Sequence, residues 1–209
     1  MQKTELDILH EDDDLLVVNK PAGLLSVPGR GADKLDSIEH RARLYSPGAV
    51  AVHRLDQATS GLMMLARHKT AERYYKQLFA ERKVEKSYQA VCHGHLLPTS
   101  GDITLPLITD WPNRPKQKIC FDTGKPSLTH YDVLAHIDNG RSRVRLVPHT
   151  GRSHQLRLHL AGIGHPIVGD HFYGHLADLQ EPRLLLHAHT LQLSDRHNKT
   201  LAFMAPLPF

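Results

Sequence analysis

The tetrapeptide His53-Arg54-Leu55-Asp56 brings an imidazole, a guanidinium and a carboxylate close together. Apolar residues 50–52 precede it, and a small polar stretch at 57–61 separates it from a second apolar run at 62–66. Short apolar runs bounded by small polar residues predict a strand, a loop and a second strand. Charged loops on such a scaffold are where binding and catalysis concentrate. On spacing alone, Asp56 is also typical of a solvated loop acid or of a turn residue bonded to its own backbone.

Four other segments carry motifs that match one family in order. They are Asn19-Lys20-Pro21-Ala22-Gly23, Lys86-Ser87-Tyr88, Thr150-Gly151-Arg152-Ser153-His154-Gln155-Leu156-Arg157-Leu158-His159, and Arg183 through Leu186-His187-Ala188. With the tetrapeptide, which continues into Ala58-Thr59-Ser60-Gly61, they resemble the motifs of the RluA family of pseudouridine synthases. The similarity spans roughly residues 10–209. One match to the tetrapeptide is weak evidence, whereas matches to all of these segments in order are strong evidence.

The resemblance implies an enzyme that isomerises uridine to pseudouridine in RNA without a cofactor. This reaction breaks the N-glycosidic bond, rotates the uracil and rejoins it through carbon 5. By the resemblance, Asp56 is the catalytic carboxylate, Arg157 pairs with it, and Tyr88 stacks on the uracil and reaches the carbon-5 proton. A carboxylate that stays ionised in a dry site needs a partner cation. Whether Asp56 adds to the base, captures C1′ or removes a ribose proton stays open.

Three further residues are expected to bind the substrate. Leu186 would form an apolar floor under the base, Lys20 would brace the active-site loop, and Arg54 would fill the gap left by an extracted nucleotide. Two of them have a simpler alternative: Leu186 also suits an ordinary core position, and Lys20 also suits a surface turn.

We expect the RNA surface to comprise basic residues of three segments: Lys116 and Lys118 near Trp111; Arg141, Arg143 and Arg145; and Arg152. Basic clusters bind phosphates, and the bases of a splayed RNA loop stack on aromatic rings. The alternative for the three strand arginines is a charged edge strand that resists aggregation.

Residues 110–118 are similar to the family member that modifies 23S rRNA and tRNA. The expected partners are therefore rRNA and tRNA anticodon stem-loops, and the alternative is a synthase with one tRNA or rRNA target.

The elements that must position these residues predict an α+β fold. By resemblance this is the pseudouridine synthase fold, a largely antiparallel mixed sheet flanked by helices. Helices are predicted after capping residues Asp36, Thr70 and Ser153. Two alternating strands, Thr129–Ile137 and Arg141–Leu146, are joined at Asp138-Asn139-Gly140, a hairpin-turn signal. In the first strand, the inward residues are predicted to be Tyr131, Val133, Ala135 and Ile137.

Composition narrows the function classes. The 209 residues suit a single catalytic domain, 1–209, without an appended RNA-binding domain, and the net charge of +4 is modest. Two cysteines are too few for a disulfide framework. No secretory signal is evident, and no apolar run approaches the roughly 20 residues that cross a bilayer. We expect a cytoplasmic monomer that does not bind membranes.

No metal or cofactor is expected. His154 and His159 are five residues apart and would point about 140° away from each other on a helix. Two other function classes compete with the isomerase. A catalytically silent RNA-binding module would not need Asp56, Tyr88 and Arg157, and a glycoside hydrolase normally needs two carboxylates.

Overall fold

The computed structural model describes residues 5–31, 34–137 and 139–209. Its strands are β1 (Ile8–Glu11), β2 (Leu15–Lys20), β3 (Val50–Ala51), β4 (Ser60–Ala66), β5 (Glu85–His93), β6 (Ser100–Ile103), β7 (Leu107–Thr109), β8 (Gln117–Ile119), β9 (Thr129–Ile137), β10 (Arg141–Pro148), β11 (Leu186–Ser194) and β12 (Thr200–Met204). The helices are α1 (Ile38–Tyr45), α2 (Lys69–Ala80) and α3 (Gln155–Gly162), and short 3-10 helices lie at Trp111–Asn113 and Leu176–Gln180.

These residues divide into two units. The first runs from the start of the described chain to Lys86 and resumes over His187–Pro208, and the second comprises Ser87–Leu186 with Phe209. Both units combine strands with helices, which confirms the α+β class. The expectation of one catalytic domain over residues 1–209 stays a prediction.

In the first unit, β4 is the central strand, and every one of its residues is buried. It pairs antiparallel with β2 and parallel with β11 at Ser60 and Gly61. β1 extends the sheet beyond β2, and β12 pairs with β11. A strand covered on both faces favours a continuous apolar run, which is what residues 62–66 provide. The sheet is therefore mixed and largely antiparallel, as predicted.

In the second unit, β5, β10, β9 and β6 form an antiparallel sheet, and β7 and β8 form a separate hairpin. β10 lies between β5 and β9, so it is not an edge strand, and the edge-strand alternative for its arginines is wrong. The alternation itself is confirmed, because Ser142, Val144 and Leu146 are all buried. Strands β6, β7 and β8 fall in the Pro- and Gly-rich region that sequence periodicity does not resolve.

A bulge in β9 changes the predicted facing of its side chains. Arg143 pairs with Ala135, but the next residue, Val144, pairs with Val133, so Leu134 is inserted without a partner. An extra residue reverses the faces beyond it. Ala135 therefore lies exposed beside Arg143 instead of pointing inward as predicted. The hairpin is confirmed, since Asn139 and Gly140 have φ of 64° and 65°. Asp138 lies outside the described residues.

Two predicted helix caps are wrong by one or two residues. Ser37, not Asp36, caps α1 by accepting the His40 N–H at 3.1 Å. His68, not Thr70, caps α2. Histidine is outside the usual set of capping residues, so the signal at His68 is weak in the sequence. The imidazole of His68 also contacts the Asp14 carboxylate at 2.8 Å, which ties the start of α2 to the sheet.

The predicted cap of α3 is also wrong. The helix begins after His154, whose φ of 55° is left-handed and whose side chain makes no cap hydrogen bond. Ser153 is exposed and is not the cap. The helix is buried all round from Gln155 to Leu160, so an amphipathic pattern does not identify it.

The approach of β11 to β4 predicts that Gly61→Ala destabilises the fold. Gly61 has a φ of +110°, and a Cβ there would lie 2.2 Å from the carbonyl oxygen of Ala188. Because backbone must move, we expect the free energy of unfolding to fall by at least about 2 kcal/mol. Urea denaturation measures this loss. Gly151→Ala is the control, since nothing lies within 4 Å of a Cβ there. Equal stability of the two variants would contradict the prediction.

Candidate active site

The Asp56 loop is fastened at its neighbour Leu55 by a buried serine. Ser26 Oγ donates to the Leu55 carbonyl at 2.7 Å and accepts the Leu55 N–H at 2.9 Å. On the other side of the carboxylate, the Thr59 N–H donates to the Asp56 carbonyl at 3.1 Å and closes a turn. The backbone on both sides of the half-buried Asp56 is therefore hydrogen-bonded.

Lys20 contacts the same loop. It is fully buried, and its Nζ donates to the carbonyls of Pro21, Leu24 and Gln57 at 2.9, 2.6 and 3.0 Å. Gln57 directly follows Asp56. An ammonium that gives its donors to backbone carbonyls joins the turn after β2 to the loop before β4, and a surface position for Lys20 is excluded.

His53 has a structural role in this loop. Its Nε2 accepts the Met64 N–H at 3.0 Å, and its ring stacks on Phe79 with centroids 4.5 Å apart. Burial, with a smaller contribution from the Lys86 charge, lowers the pKa of His53 to about 3. The imidazole is therefore neutral at physiological pH and serves as a hydrogen-bond acceptor. Arg54, beside it, is exposed.

Arg157 belongs to the second unit, where it is 4% exposed on the buried helix α3. Its Nε and Nη2 donate to the two carboxylate oxygens of Asp170 at 2.8 and 2.7 Å. Arg157 is therefore not a solvated helix residue. A buried guanidinium requires such a partner, because an uncompensated charge in the interior is costly. The pairing of Arg157 with Asp56 stays a prediction.

The segment after Asp170 surrounds the guanidinium with aromatic rings. The Phe172 and Tyr173 ring centroids lie 5.1 and 5.3 Å from the guanidinium carbon of Arg157. The Tyr173 hydroxyl accepts the Gln117 N–H at 2.8 Å and hydrogen-bonds His154 Nδ1 at 2.7 Å. This short segment therefore links helix α3 to the β7–β8 hairpin.

Two other predicted residues also lie in the second unit. Tyr88 is half-buried on β5, where it pairs with Leu146 of β10. Leu186 is 3% exposed at the start of β11. This burial suits a core leucine as well as the predicted floor under the base, and the latter role stays a prediction.

The arginines of β10 all have partners within the second unit. Arg141 Nη2 donates to Glu181 at 2.9 Å, Arg143 Nη1 donates to the Phe209 carbonyl at 3.0 Å, and Arg145 lies 3.3 Å from Asp132. These contacts compete with phosphate for the guanidinium groups. The three arginines therefore have intramolecular partners, and their contact with RNA stays a prediction.

The β7–β8 hairpin presents cations beside exposed rings. Trp111 is 65% exposed, and the Arg114 guanidinium carbon lies 4.4 Å from its ring. Lys116 Nζ lies 5.7 Å from the Phe172 ring, and Lys118 is exposed. Outside the hairpin, Arg152 is exposed and makes long bonds to the Pro126 carbonyl at 3.4 and 3.5 Å. Exposed cations over aromatic rings suit the backbone and bases of single-stranded RNA.

Among the described residues, no group of three or more His, Cys, Asp and Glu side chains is placed to hold a metal ion. His159 Nε2 instead hydrogen-bonds Ser127 Oγ at 2.9 Å and the Leu105 carbonyl at 3.0 Å. Within the same part of the chain, no helix has both the length and the apolar character needed to cross a membrane.

Sequence reasoning missed Ser26 and Asp170. Ser26 follows the motif at residues 19–23, but a lone serine gives no signal for the backbone it binds. Asp170 follows Val168 and Gly169 in a segment without periodicity. A buried arginine requires a carboxylate partner. The predicted helix carries Arg157, so that requirement was the available signal for an acid such as Asp170.

Comparison with protein families identifies the class of protein. The model of the RNA pseudouridylate synthase family matches residues 14–162, which is more than half of the chain. The chain belongs to this family. It is an RNA pseudouridine synthase, an isomerase that acts on RNA.

Comparison with individual relatives confirms the resemblance to the RluA family. The chain is 50% identical over 210 residues to the dual-specificity RNA pseudouridine synthase RluA of Escherichia coli (strain K12), covering 100% of this chain and 96% of the relative. The RluA of Pasteurella multocida (strain Pm70) is 51% identical over 208 residues, with 98% and 94% covered. The solved structure of human RNA Pseudouridylate Synthase Domain Containing 1 is 31% identical with a TM-score of 0.83, covering 99% of this chain and 85% of that chain. The pseudouridine synthase fold is thereby confirmed.

The Lys20 contacts predict that Lys20→Met slows catalysis. Methionine has a similar length but donates no hydrogen bond, so the three carbonyls lose their common donor. We expect turnover to fall and the free energy of unfolding to drop by about 3 kcal/mol, with RNA affinity retained. Single-turnover rates and urea denaturation measure both effects. Lys69→Met is the control, because Lys69 forms an exposed ion pair with Glu72 and should matter little. Wild-type turnover in Lys20→Met would remove the loop-bracing role.

Proposed function

We propose that this synthase isomerises specific uridines in structured loops of 23S rRNA and of the tRNA anticodon stem-loop, with Asp56 as its catalytic carboxylate and without a cofactor. The dual specificity is supported by the identity to the curated dual-specificity enzymes over nearly the full length of both chains. The alternative is a synthase with a single rRNA or tRNA target. Pseudouridine mapping in both RNA classes, with and without this protein, separates the two.

The observation that carries the assignment of Asp56 is the constraint on its loop. Buried Ser26 and buried Lys20 hold the residues on either side of the carboxylate, while the carboxylate itself is half-buried. Fastening an acid to the scaffold through its neighbours suits a group that must meet a reacting atom in one orientation. A solvated loop acid does not require such bracing.

The other site residues have complementary proposed roles. Arg157 stabilises the ionised carboxylate of Asp56, and Tyr88 stacks on the uracil with its hydroxyl near the carbon-5 proton. Leu186 forms the apolar floor under the base, and the exposed Arg54 fills the space left by the extracted nucleotide. The protein acts as a monomer in the cytoplasm, where rRNA and tRNA are found.

For RNA binding, we propose that Lys116, Lys118 and Arg152 contact phosphates and that Trp111 stacks on an unpaired base. The competing surface is the β10 face of Arg141, Arg143 and Arg145. Its three arginines already contact Glu181, Phe209 and Asp132. The hairpin surface is therefore the better supported of the two.

The catalytic assignment predicts that Asp56→Asn abolishes pseudouridine formation and keeps RNA affinity. The amide has nearly the same shape as the carboxylate but carries no charge and is a poor nucleophile. Assays of pseudouridine formation and binding titrations on the same RNA loop measure the two effects. Asp13→Asn, which changes an exposed acid of the same unit, should behave like wild type. Turnover near wild type in Asp56→Asn would move the catalytic acid elsewhere.

The two candidate RNA surfaces predict different salt dependences. If Lys118 contacts a phosphate, Lys118→Ala should lower the slope of log affinity against log salt by about 0.7, the value for single-stranded segments. Arg141→Ala is the matched change on β10 and should leave the slope unaltered, because Arg141 is bound to Glu181. Turnover at saturating RNA should stay unchanged in both. A lower slope in Arg141→Ala with no change in Lys118→Ala would reverse the assignment.

A further inference from the structure

The pair formed by Arg157 and Asp170 is sealed from solvent. Arg157 is 4% exposed and Asp170 is 1% exposed, and two hydrogen bonds of 2.8 and 2.7 Å join them edge to edge. Two parallel bonds between planar groups fix the plane of the guanidinium as well as its position. The pair uses Nε and Nη2, so the direction of the remaining nitrogen, Nη1, is set by Asp170.

Asp170 is itself held by the turn that it begins. Its Oδ1 also accepts the Phe172 N–H at 2.9 Å and the Tyr173 N–H at 3.2 Å. The rings of these two residues lie 5.1 and 5.3 Å from the guanidinium carbon. The carboxylate cannot rotate without breaking backbone bonds, and the guanidinium cannot rotate without losing both the carboxylate and the rings.

Stability alone gives little reason to keep this arrangement. A buried ion pair repays the cost of desolvating its charges only with excellent geometry, and apolar replacements are frequently as stable. Orientation is a benefit that an apolar pair does not offer. Within a site that must place charges closely, a fixed guanidinium removes the entropy of searching for the reactive arrangement.

We propose that Asp170 is a positioning residue for catalysis, which fixes the Arg157 guanidinium in the orientation that the reaction uses. The inference rests on the proposed role of Arg157 in stabilising the Asp56 carboxylate. Asp170 acts through Arg157 and does not touch the RNA. It should therefore affect the rate of isomerisation and leave the affinity for RNA unchanged.

Asp178 offers a matched control in the same segment. It is also 1% exposed, and it accepts the Gly169 N–H at 2.8 Å, the His175 N–H at 2.6 Å and a hydrogen bond from His93 at 2.8 Å. Burial raises its pKa, but these hydrogen bonds outweigh burial and hold the pKa below its usual value. Asp178 stabilises the segment around Asp170 through bonds to its backbone, whereas Asp170 is the acid bonded to the Arg157 guanidinium.

The test compares single-turnover rates and RNA affinities of Asp170→Asn, Asp170→Glu and Asp178→Asn on one anticodon stem-loop RNA. We expect a rate loss on the order of 100-fold for both Asp170 variants, with wild-type affinity. Asp178→Asn should lower the thermal midpoint and keep the wild-type rate. Asp170→Glu retains the charge that compensates Arg157, so it decides the question if Asp170→Asn does not fold. A wild-type rate in either folded Asp170 variant, or an equal loss in Asp178→Asn, overturns the inference.

A double-mutant cycle separates this inference from the proposed function. Arg157→Lys retains the charge but not the planar pair of donors, so it should be slow, and adding Asp170→Asn should cost nothing more. Additive losses would show that Asp170 acts independently of Arg157 and would overturn the inference. If Arg157→Lys has the wild-type rate, the proposed role of Arg157 fails. If Arg157→Lys is slow and Asp170→Asn is fast, the positioning role alone fails.

Discussion

The buried ammonium of Lys20 is the interaction on which the catalytic loop depends. One cation with three donors is shared among carbonyls of two segments that are far apart in the chain, Pro21–Leu24 and Gln57. Lysine is seldom fully buried, because burial removes the ammonium from water. Charge-assisted hydrogen bonds to the backbone carbonyls offset this desolvation. The Gln57 side chain completes the connection by donating to the Gly23 carbonyl at 2.9 Å. The loop is therefore fixed through its backbone.

In the second unit, a side chain fixes the backbone at the start of the helix that carries Arg157. Gln155 holds the entry of α3, because its amide oxygen accepts the Thr150 hydroxyl at 2.8 Å and the Arg152 N–H at 3.0 Å. Its amide nitrogen donates to the Leu128 carbonyl at 3.0 Å. Both ends of the buried Gln155 amide therefore have specific partners, as a low-dielectric interior requires. The helix can then carry a charged arginine without exposing it to water.

The motifs predicted the family, the α+β class and the loop that carries Asp56, because those follow from residue types at fixed spacing. The burial of Lys20 was not predictable, because a lysine in a Lys-Pro-Ala-Gly turn also suits the surface. The helix caps were not predictable, since His68 and His154 belong to no capping pattern and Ser37 competes with the adjacent Asp36. The bulge at Leu134 was invisible because it depends on the partner strand. Asp170 was missed because its importance lies in a tertiary contact with Arg157.

His53 stays neutral at a pH at which other histidines become charged. A hydrogen bond to Asp102 raises the pKa of His130, whereas burial lowers that of His53 to about 3. As pH falls from 7 toward 5, histidines ordinarily gain charge and strengthen attraction to a polyanion. The bond from the Met64 N–H to His53 persists through that range, because protonation of Nε2 would be needed to break it. Mild acidification would therefore leave the shape of the Asp56 loop unchanged.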